Sequence, residues 1–255
     1  MRIQKLSVII PAYNEAQTIA HLLDKVVEVN LINDIEKEII VVNDYSSDQT
    51  LQVLNQYKEQ HPAINLRIFS HQQNQGKGAA LHTGIEEASG DFMIVQDADL
   101  EYDPREFNLL LRPVVNGVAD VVYGSRLIGG NPHRILFFWH SIGNKFLTTI
   151  SNIFSNLNLT DMETCYKLMR LDVVKNLHLK EKRFGFEPEI TQKLARIPGI
   201  RIYELGISYY GRRYEEGKKI GWKDGVHALY CILKYGLFRP RKKQAAIETY
   251  NQKRE

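Results

Sequence analysis

Cysteine is scarce, with Cys165 and Cys231 the two among 255 residues. They are far apart and form no Cys-x-x-Cys, so neither a disulfide framework nor a cysteine-built zinc site is expected, and two lone thiols suit a reducing cytosol. No apolar run approaches the ~20 residues that a membrane-spanning helix needs. The basic start, Met1 to Lys5, precedes only a short apolar run ending at Pro11, so no signal peptide is expected. Charge of one sign is also lacking. The 33 lysines and arginines face 30 acidic residues, and a dispersed net charge of +3 gives nucleic acid no footing. The glycine-rich turns of common nucleotide sites are missing too. The first strand-to-helix turn reads Pro11-Ala12-Tyr13-Asn14-Glu15 rather than Gly-x-Gly-x-x-Gly, which argues against a dehydrogenase. Gly76-Lys77-Gly78 lacks the spacing and the hydroxyl of a P-loop. There is no internal repeat and no low-complexity linker.

What is present is an alternation of short apolar runs and amphipathic stretches. Leu6 to Ile10 reads as a strand stopped by Pro11, and Ile19, Leu22, Leu23, Val26 and Val27 recur at helical spacing. Glu38 to Val42 is a second strand ending in Asn43-Asp44-Tyr45-Ser46-Ser47-Asp48, which carries turn and cap chemistry. A helix with Leu51, Leu54 and Tyr57, a strand near Leu66 to Phe69, and a helix opened by Gly76-Lys77-Gly78 follow. Phe92 to Val95 is the central strand. Asp103-Pro104-Arg105-Glu106 then reads as N-cap, first-turn proline and capping-box glutamate. Asp120 to Tyr123 is a further strand. Residues 135–157 suggest one or two helices, Cys165 to Arg170 and Arg201 to Tyr210 strands, with a helix from Pro188 between them, and Trp222 to Phe238 a last amphipathic helix. The expected architecture is α/β, a mostly parallel sheet with helices on both faces. It forms one domain over 1–238, followed by a basic tail over 239–255.

The chemistry gathers where the central strand ends. Asp97, Asp99 and Glu101 alternate, so in extended backbone their carboxylates would share one side. Like charges so crowded repel unless a cation neutralises them, and ligands of open α/β sheets bind beyond the carboxyl ends of the strands. A hard divalent ion held there would clamp a nucleotide diphosphate. The plainer reading is a solvated acidic turn.

Pro11-Ala12-Tyr13-Asn14-Glu15, Val41 to Asp48, Gly76-Lys77-Gly78 and Asp97-Ala98-Asp99 stand in the order found in family 2 glycosyltransferases. The chain most resembles the dolichyl-phosphate mannose synthase group of polyprenyl-phosphate hexosyltransferases. The catalytic motifs lie in residues 5–126, and the similarity extends to about residue 235. The resemblance implies a GT-A fold, a nucleotide-sugar donor and Mg²⁺ or Mn²⁺. It implies Pro11, Tyr13, Glu15, Asp44, Lys77 and Asp97 for the nucleotide and Asp97, Asp99 and Glu101 for the metal. Asp99 and Arg126 are its candidate catalytic residues, and Arg126, Arg134 and Lys218 face the acceptor phosphate. Weaker features are Asp161, Arg212, Glu187 and Glu189. Where the family commonly has Asp-Asp-Gly-Ser, this chain has Asn43-Asp44-Tyr45-Ser46. Tyr45 in place of a permissive glycine implies a different turn or a side chain in the pocket.

The expected function is metal-dependent, inverting transfer of a hexose from a nucleotide diphosphate sugar to a polyprenyl or dolichyl phosphate. Aromatic clusters at Phe137-Phe138-Trp139 and along Trp222 to Phe238, the latter followed by Arg239, Arg241, Lys242 and Lys243, suit a cytoplasmic protein held peripherally on a membrane. The alternatives are a family 2 enzyme acting on a sugar hydroxyl, which needs a general base, and a nucleotide-sugar-binding protein without turnover.

Overall fold

The computed structural model describes residues 3–129, 134, 138–211 and 222–237. Seven strands, β1 (Lys5–Ala12), β2 (Glu36–Asn43), β3 (Leu66–Ser70), β4 (Phe92–Val95), β5 (Val121–Ser125), β6 (Lys167–Arg170) and β7 (Ile202–Gly206), form one sheet. Their order is β3-β2-β1-β4-β6-β5-β7. The inner runs are apolar on both faces because both faces are covered, and Val8, Ile9, Ile10, Met93 and Ile94 are all 0% exposed. The helices are α1 (Ile19–Glu28), α2 (Thr50–Gln60), α3 (Lys77–Glu87), α4 (Phe107–Val115), α5 (Phe138–Ser155), α6 (Leu171–Lys175), α7 (Phe186–Leu194) and α8 (Trp222–Leu237). Helix α3 packs on β1 and β2, while α5, α7 and α8 pack on one another.

Pro11 does not stop β1. The strand continues through it, with Pro11 opposite Val42. Residues two apart point their peptide groups to the same side, and Ile9 faces β4, where its carbonyl accepts from Gln96 N. Pro11 therefore turns its missing N–H toward β4, whose pairing has already ended at Ile9 opposite Val95. No ladder bond is lost. The capping box is also different from expectation. Asp103 does accept from Arg105 N at 3.0 Å, but Glu106 Oε1 accepts from Ser208 N at 2.8 Å, so a tertiary contact replaces the local one. The strands expected over Cys165–Arg170 and Arg201–Tyr210 are shorter, and the helix expected from Pro188 starts at Phe186.

Strand β6 departs from the parallel pattern and decides where the site lies. It runs antiparallel to both neighbours, with Leu168 opposite Ile94 and Lys167 opposite Tyr123. Its entry segment, from Asp161 to Tyr166, is thereby delivered to the carboxyl edge of β4 and β5.

Candidate active site

The carboxyl ends of β1, β2 and β4 run into turns in which a side-chain-bearing residue takes the left-handed conformation: Asn14 (φ 54°), Tyr45 (φ 59°) and Leu100 (φ 63°). Each costs on the order of 1–2 kcal/mol for a residue with a Cβ, and such strain persists where surrounding contacts enforce it. Here they do. Asn14 N donates to Ser46 Oγ at 3.0 Å, Ser47 N donates to Asn14 Oδ1 at 2.8 Å, and Glu15 N donates to Thr50 Oγ1 at 2.9 Å. Tyr45 thus adopts the turn that glycine favours and stands 57% exposed, with Tyr13 38% exposed. Pro11 is half-buried, and Glu15 is buried with Oε2 accepting from the Thr18 hydroxyl at 2.8 Å.

Asp44 is buried at the end of β2, where its carboxylate organises the loop leading to α3. Oδ1 meets His71 Nδ1 at 2.7 Å and accepts from Gln75 N at 2.9 Å, and Oδ2 accepts from Gly76 N at 2.7 Å. Gly76 has φ +96°, and a Cβ there would come within 2.6 Å of Lys182 O. A Cβ on Gly78 would collide with Glu181 O. The two glycines therefore allow the 181–183 segment to press against the start of α3, a reason their sequence context did not reveal.

Between those glycines, Lys77 reaches across to the end of β4. Its Nζ lies 2.8 Å from Asp97 Oδ1 and 3.6 Å from Glu187 Oε1. Burial pushes the Asp97 carboxyl up, but Lys77 outweighs it and holds the group below its ordinary range. The Cys165 thiol donates to Val95 O at 3.8 Å; burial pushes it far up, with the Asp97 charge adding to it, and it stays protonated. Sequence reasoning missed Cys165 altogether, since a lone thiol carries no motif.

The carboxylate segment is a turn rather than extended backbone. Leu100 reverses the chain, Glu101 N donates to Asp99 Oδ1 at 3.2 Å, and Glu101 Oε2 accepts from Tyr209 OH at 2.6 Å. The expected alternation on one side is thus replaced, because Gln96 to Glu101 lies beyond the last β4 pairing. Among the described residues, Glu181, His227 and Cys231 are the one potential ligand group of three within 4.8 Å of one another, and Glu181 there already meets Lys234 and Tyr235. Asp97 and Asp99 fit a hard divalent cation by donor chemistry, offering carboxylate oxygens with a neutral thiol as neighbour. Glu101 is tied to Tyr209 and closes the turn.

Arg126 follows β5 and is gripped by Asp161. Its Nε and Nη2 donate to separate carboxylate oxygens at 2.7 Å each, and its backbone N donates to Oδ2 at 3.1 Å. The guanidinium also lies over the Tyr209 ring, 5.2 Å from its centroid. This fork leaves further N–H donors beyond the Asp161 pair. Asn144 of α5 donates to Asp161 Oδ1 at 3.0 Å, so that helix is anchored to the arginine's partner. Arg134 is exposed; its Nη1 donates to Gly211 O at 2.6 Å and its N to Tyr209 O at 2.8 Å. Both arginines therefore meet Tyr209, in the segment that follows β7. Lys218 and Arg212 lie outside the described residues.

Glu187 and Glu189 are buried rather than simply favouring a helix start: Glu187 faces Lys77, and Glu189 accepts from Lys180 N and Glu181 N. Lys167, 1% exposed, has its ammonium 5.1 Å from the centroid of Tyr123 and donates to Thr164 O.

Residues 7–177 match the family model described as Glycosyl transferase family 2. The chain is 27% identical over 238 residues to a dolichol-phosphate mannosyltransferase of Pyrococcus furiosus, covering 91% of this chain and 64% of that protein. It is 28% identical over 248 residues to a dolichyl-phosphate beta-glucosyltransferase of Trichomonas vaginalis, covering 91% and 73%. A dodecaprenyl-phosphate galacturonate synthase of Rhizobium johnstonii is 25% identical over 214 residues, covering 84% and 61%. The chain thus spans 61–73% of the length of these curated relatives. Glucosyl-3-phosphoglycerate synthase from Mycobacterium tuberculosis, solved with Mn²⁺, uridine diphosphate and phosphoglyceric acid, superposes with TM-score 0.70 at 17% identity, covering 93% of this chain and 80% of that one. The architecture is of the GT-A type.

Proposed function

Because the chain belongs to glycosyl transferase family 2, we propose that it moves a hexose from a nucleotide diphosphate sugar to a polyprenyl phosphate, with inversion. The observation that carries this reading is the anchoring of α5 to the Arg126–Asp161 pair. The same helix that reaches Asp161 through Asn144 exposes Phe138, Trp139, Ile142 and Phe146, which are 68, 77, 43 and 53% exposed. A helix that holds the Arg126–Asp161 pair on its inner side and bares an apolar face on its outer side suits an enzyme that meets, at a membrane surface, an acceptor with an anionic head and a hydrocarbon tail. The names of the relatives point to the same class of acceptor.

In this reading Tyr13, Tyr45 and Pro11 border the nucleoside, and Glu15 and Asp44 set the loops that hold it. Lys77, at the N-terminus of α3, steadies the diphosphate. Asp97 and Asp99 would hold Mg²⁺ or Mn²⁺, which offsets charge on the departing diphosphate. Arg126, with Arg134 and Lys218, orients the acceptor phosphate. A phosphate monoester, with a second pKa near ~6, is ionised at neutral pH and attacks without a dedicated base. The exposed face of α5, that of α8 and the basic tail over 239–255 would rest on the cytoplasmic face of a membrane. No described helix is long and apolar enough to cross one.

The test supplies UDP-glucose or GDP-mannose, Mg²⁺ and either a polyprenyl phosphate or a free sugar. Polyprenyl-phosphate hexose of inverted anomeric configuration is the expected product. Efficient transfer to a sugar hydroxyl with none to lipid phosphate overturns the lipid acceptor and favours glycan assembly.

A further inference from the structure

In a single displacement the transferred sugar lies between the leaving diphosphate and the incoming phosphate. Lys77, with Glu187 at 3.6 Å, marks the first end, and Arg126, with Asp161, marks the second. Glu163 feels the charges of both ends. Its charge neighbours are Glu187 from α7, Lys167 from β6, Arg126 after β5 and Asp161 from its own segment. Glu163 is half-buried, yet its Oε1 is sealed from solvent without a hydrogen-bond partner. Thr164 beside it is 0% exposed and also leaves its hydroxyl without a partner. Buried polar atoms are nearly always satisfied, so two unsatisfied ones in neighbouring residues call for a partner that the chain itself does not supply.

Resting on the transferase reading, we propose that Glu163 is a specificity-determining residue that hydrogen-bonds a hydroxyl of the donor hexose. A hydroxyl is the fitting partner, because it accepts from an acid and adds no charge beside Glu187 and Asp161. A phosphate oxygen already has Lys77 and Arg126 to meet. Burial, with Glu187 adding to it, pushes the Glu163 carboxyl up to about 8 against the pull of Lys167 and Arg126, so the acid form prevails at neutral pH.

The experiment compares, by calorimetry with Mg²⁺, the affinity for UDP against UDP-glucose and for GDP against GDP-mannose. Wild type is set beside Glu163→Gln, which keeps shape and a donor, and Glu163→Ala. For the pair that wild type binds, Ala should weaken the sugar-bearing nucleotide about tenfold and leave the bare diphosphate within about twofold. Gln should retain the sugar's contribution at pH 7. Above pH 8 the wild-type contribution should change as Glu163 ionises and turns from donor to acceptor, while that of Gln stays constant. Equal weakening of both nucleotides by Ala, or a wild-type sugar contribution unchanged from pH 7 to 9, overturns the assignment of Glu163 alone. Wild-type protein that binds none of the four nucleotides overturns the transferase reading and this one with it. Thermal unfolding of each variant separates misfolding from lost contact, because Gln leaves the fold intact whichever way binding goes.

Discussion

Arg126 and Asp161 lie 35 residues apart and meet as a two-pronged pair, each prong 2.7 Å long, with the Asp161 side chain 0% exposed. The pair fixes the plane of the guanidinium before any ligand arrives. Arg126→Lys keeps the charge but not the fork, and should lower turnover at least about tenfold. Asp161→Asn leaves the arginine without its counter-charge and should cost about 3 kcal/mol of stability. Steady-state rates and urea midpoints check the two. Near-normal turnover in the lysine variant would reduce Arg126 to a point charge.

The same pair sets a dependence on acid. Burial pushes the Asp161 carboxyl up, but Arg126 and the bonds from Arg126 and Asn144 outweigh it, so it titrates below its ordinary range. A carboxyl depressed in the folded state contributes stability that is complete above its unfolded pKa near ~3.9 and is lost as pH falls through the folded value. The stability gap between wild type and Asp161→Asn should therefore narrow below about pH 4. Urea unfolding from pH 6 to pH 2 measures it, and a constant gap contradicts the assignment.

Asp99→Asn removes a charge with little change in shape. It should abolish turnover and the Mg²⁺-dependent part of nucleotide binding, while the melting temperature without ligand stays within a few degrees. Thermal shifts with UDP or GDP, with and without Mg²⁺, report this, because a binder stabilises the fold by mass action. Full activity in that variant, or in excess chelator, rules out Asp99 as a metal ligand.

Tyr45 holds a left-handed turn at φ 59° with an exposed ring. Tyr45→Gly removes the backbone penalty and should raise stability by about 1 kcal/mol. It should also weaken nucleotide binding, since the ring is lost from the nucleoside border. If binding is unchanged, the ring serves no ligand.

Phe138→Ser with Trp139→Ser removes two exposed apolar side chains from α5 without opening the core. Binding to liposomes rich in anionic lipid should fall several-fold, and the remainder should weaken with salt, as expected of a basic tail worth up to about 1 kcal/mol per residue at the surface. Flotation assays read both effects. Liposome binding that is indifferent to both substitutions and salt removes the membrane from the proposal.

The sequence by itself determined the strands and the ends at which chemistry collects. Apolar runs such as Phe92 to Val95 pack only when both faces are covered, and the polar segment after each run must fall at the sheet edge. Local order also sufficed for Asp103 to cap its turn, because donor and acceptor are two residues apart. What only the tertiary structure decided is who meets whom. Asp97 finds Lys77, Glu101 finds Tyr209, and Glu163 comes to lie among charges from three other elements. The placement of Glu163 depends on β6 entering the sheet antiparallel between β4 and β5. Strand direction is set by the long-range packing of the whole chain, and a four-residue strand such as Lys167–Arg170 reads alike in either direction. That single reversal carries Asp161, Glu163 and Cys165 to the edge where the parallel strands end.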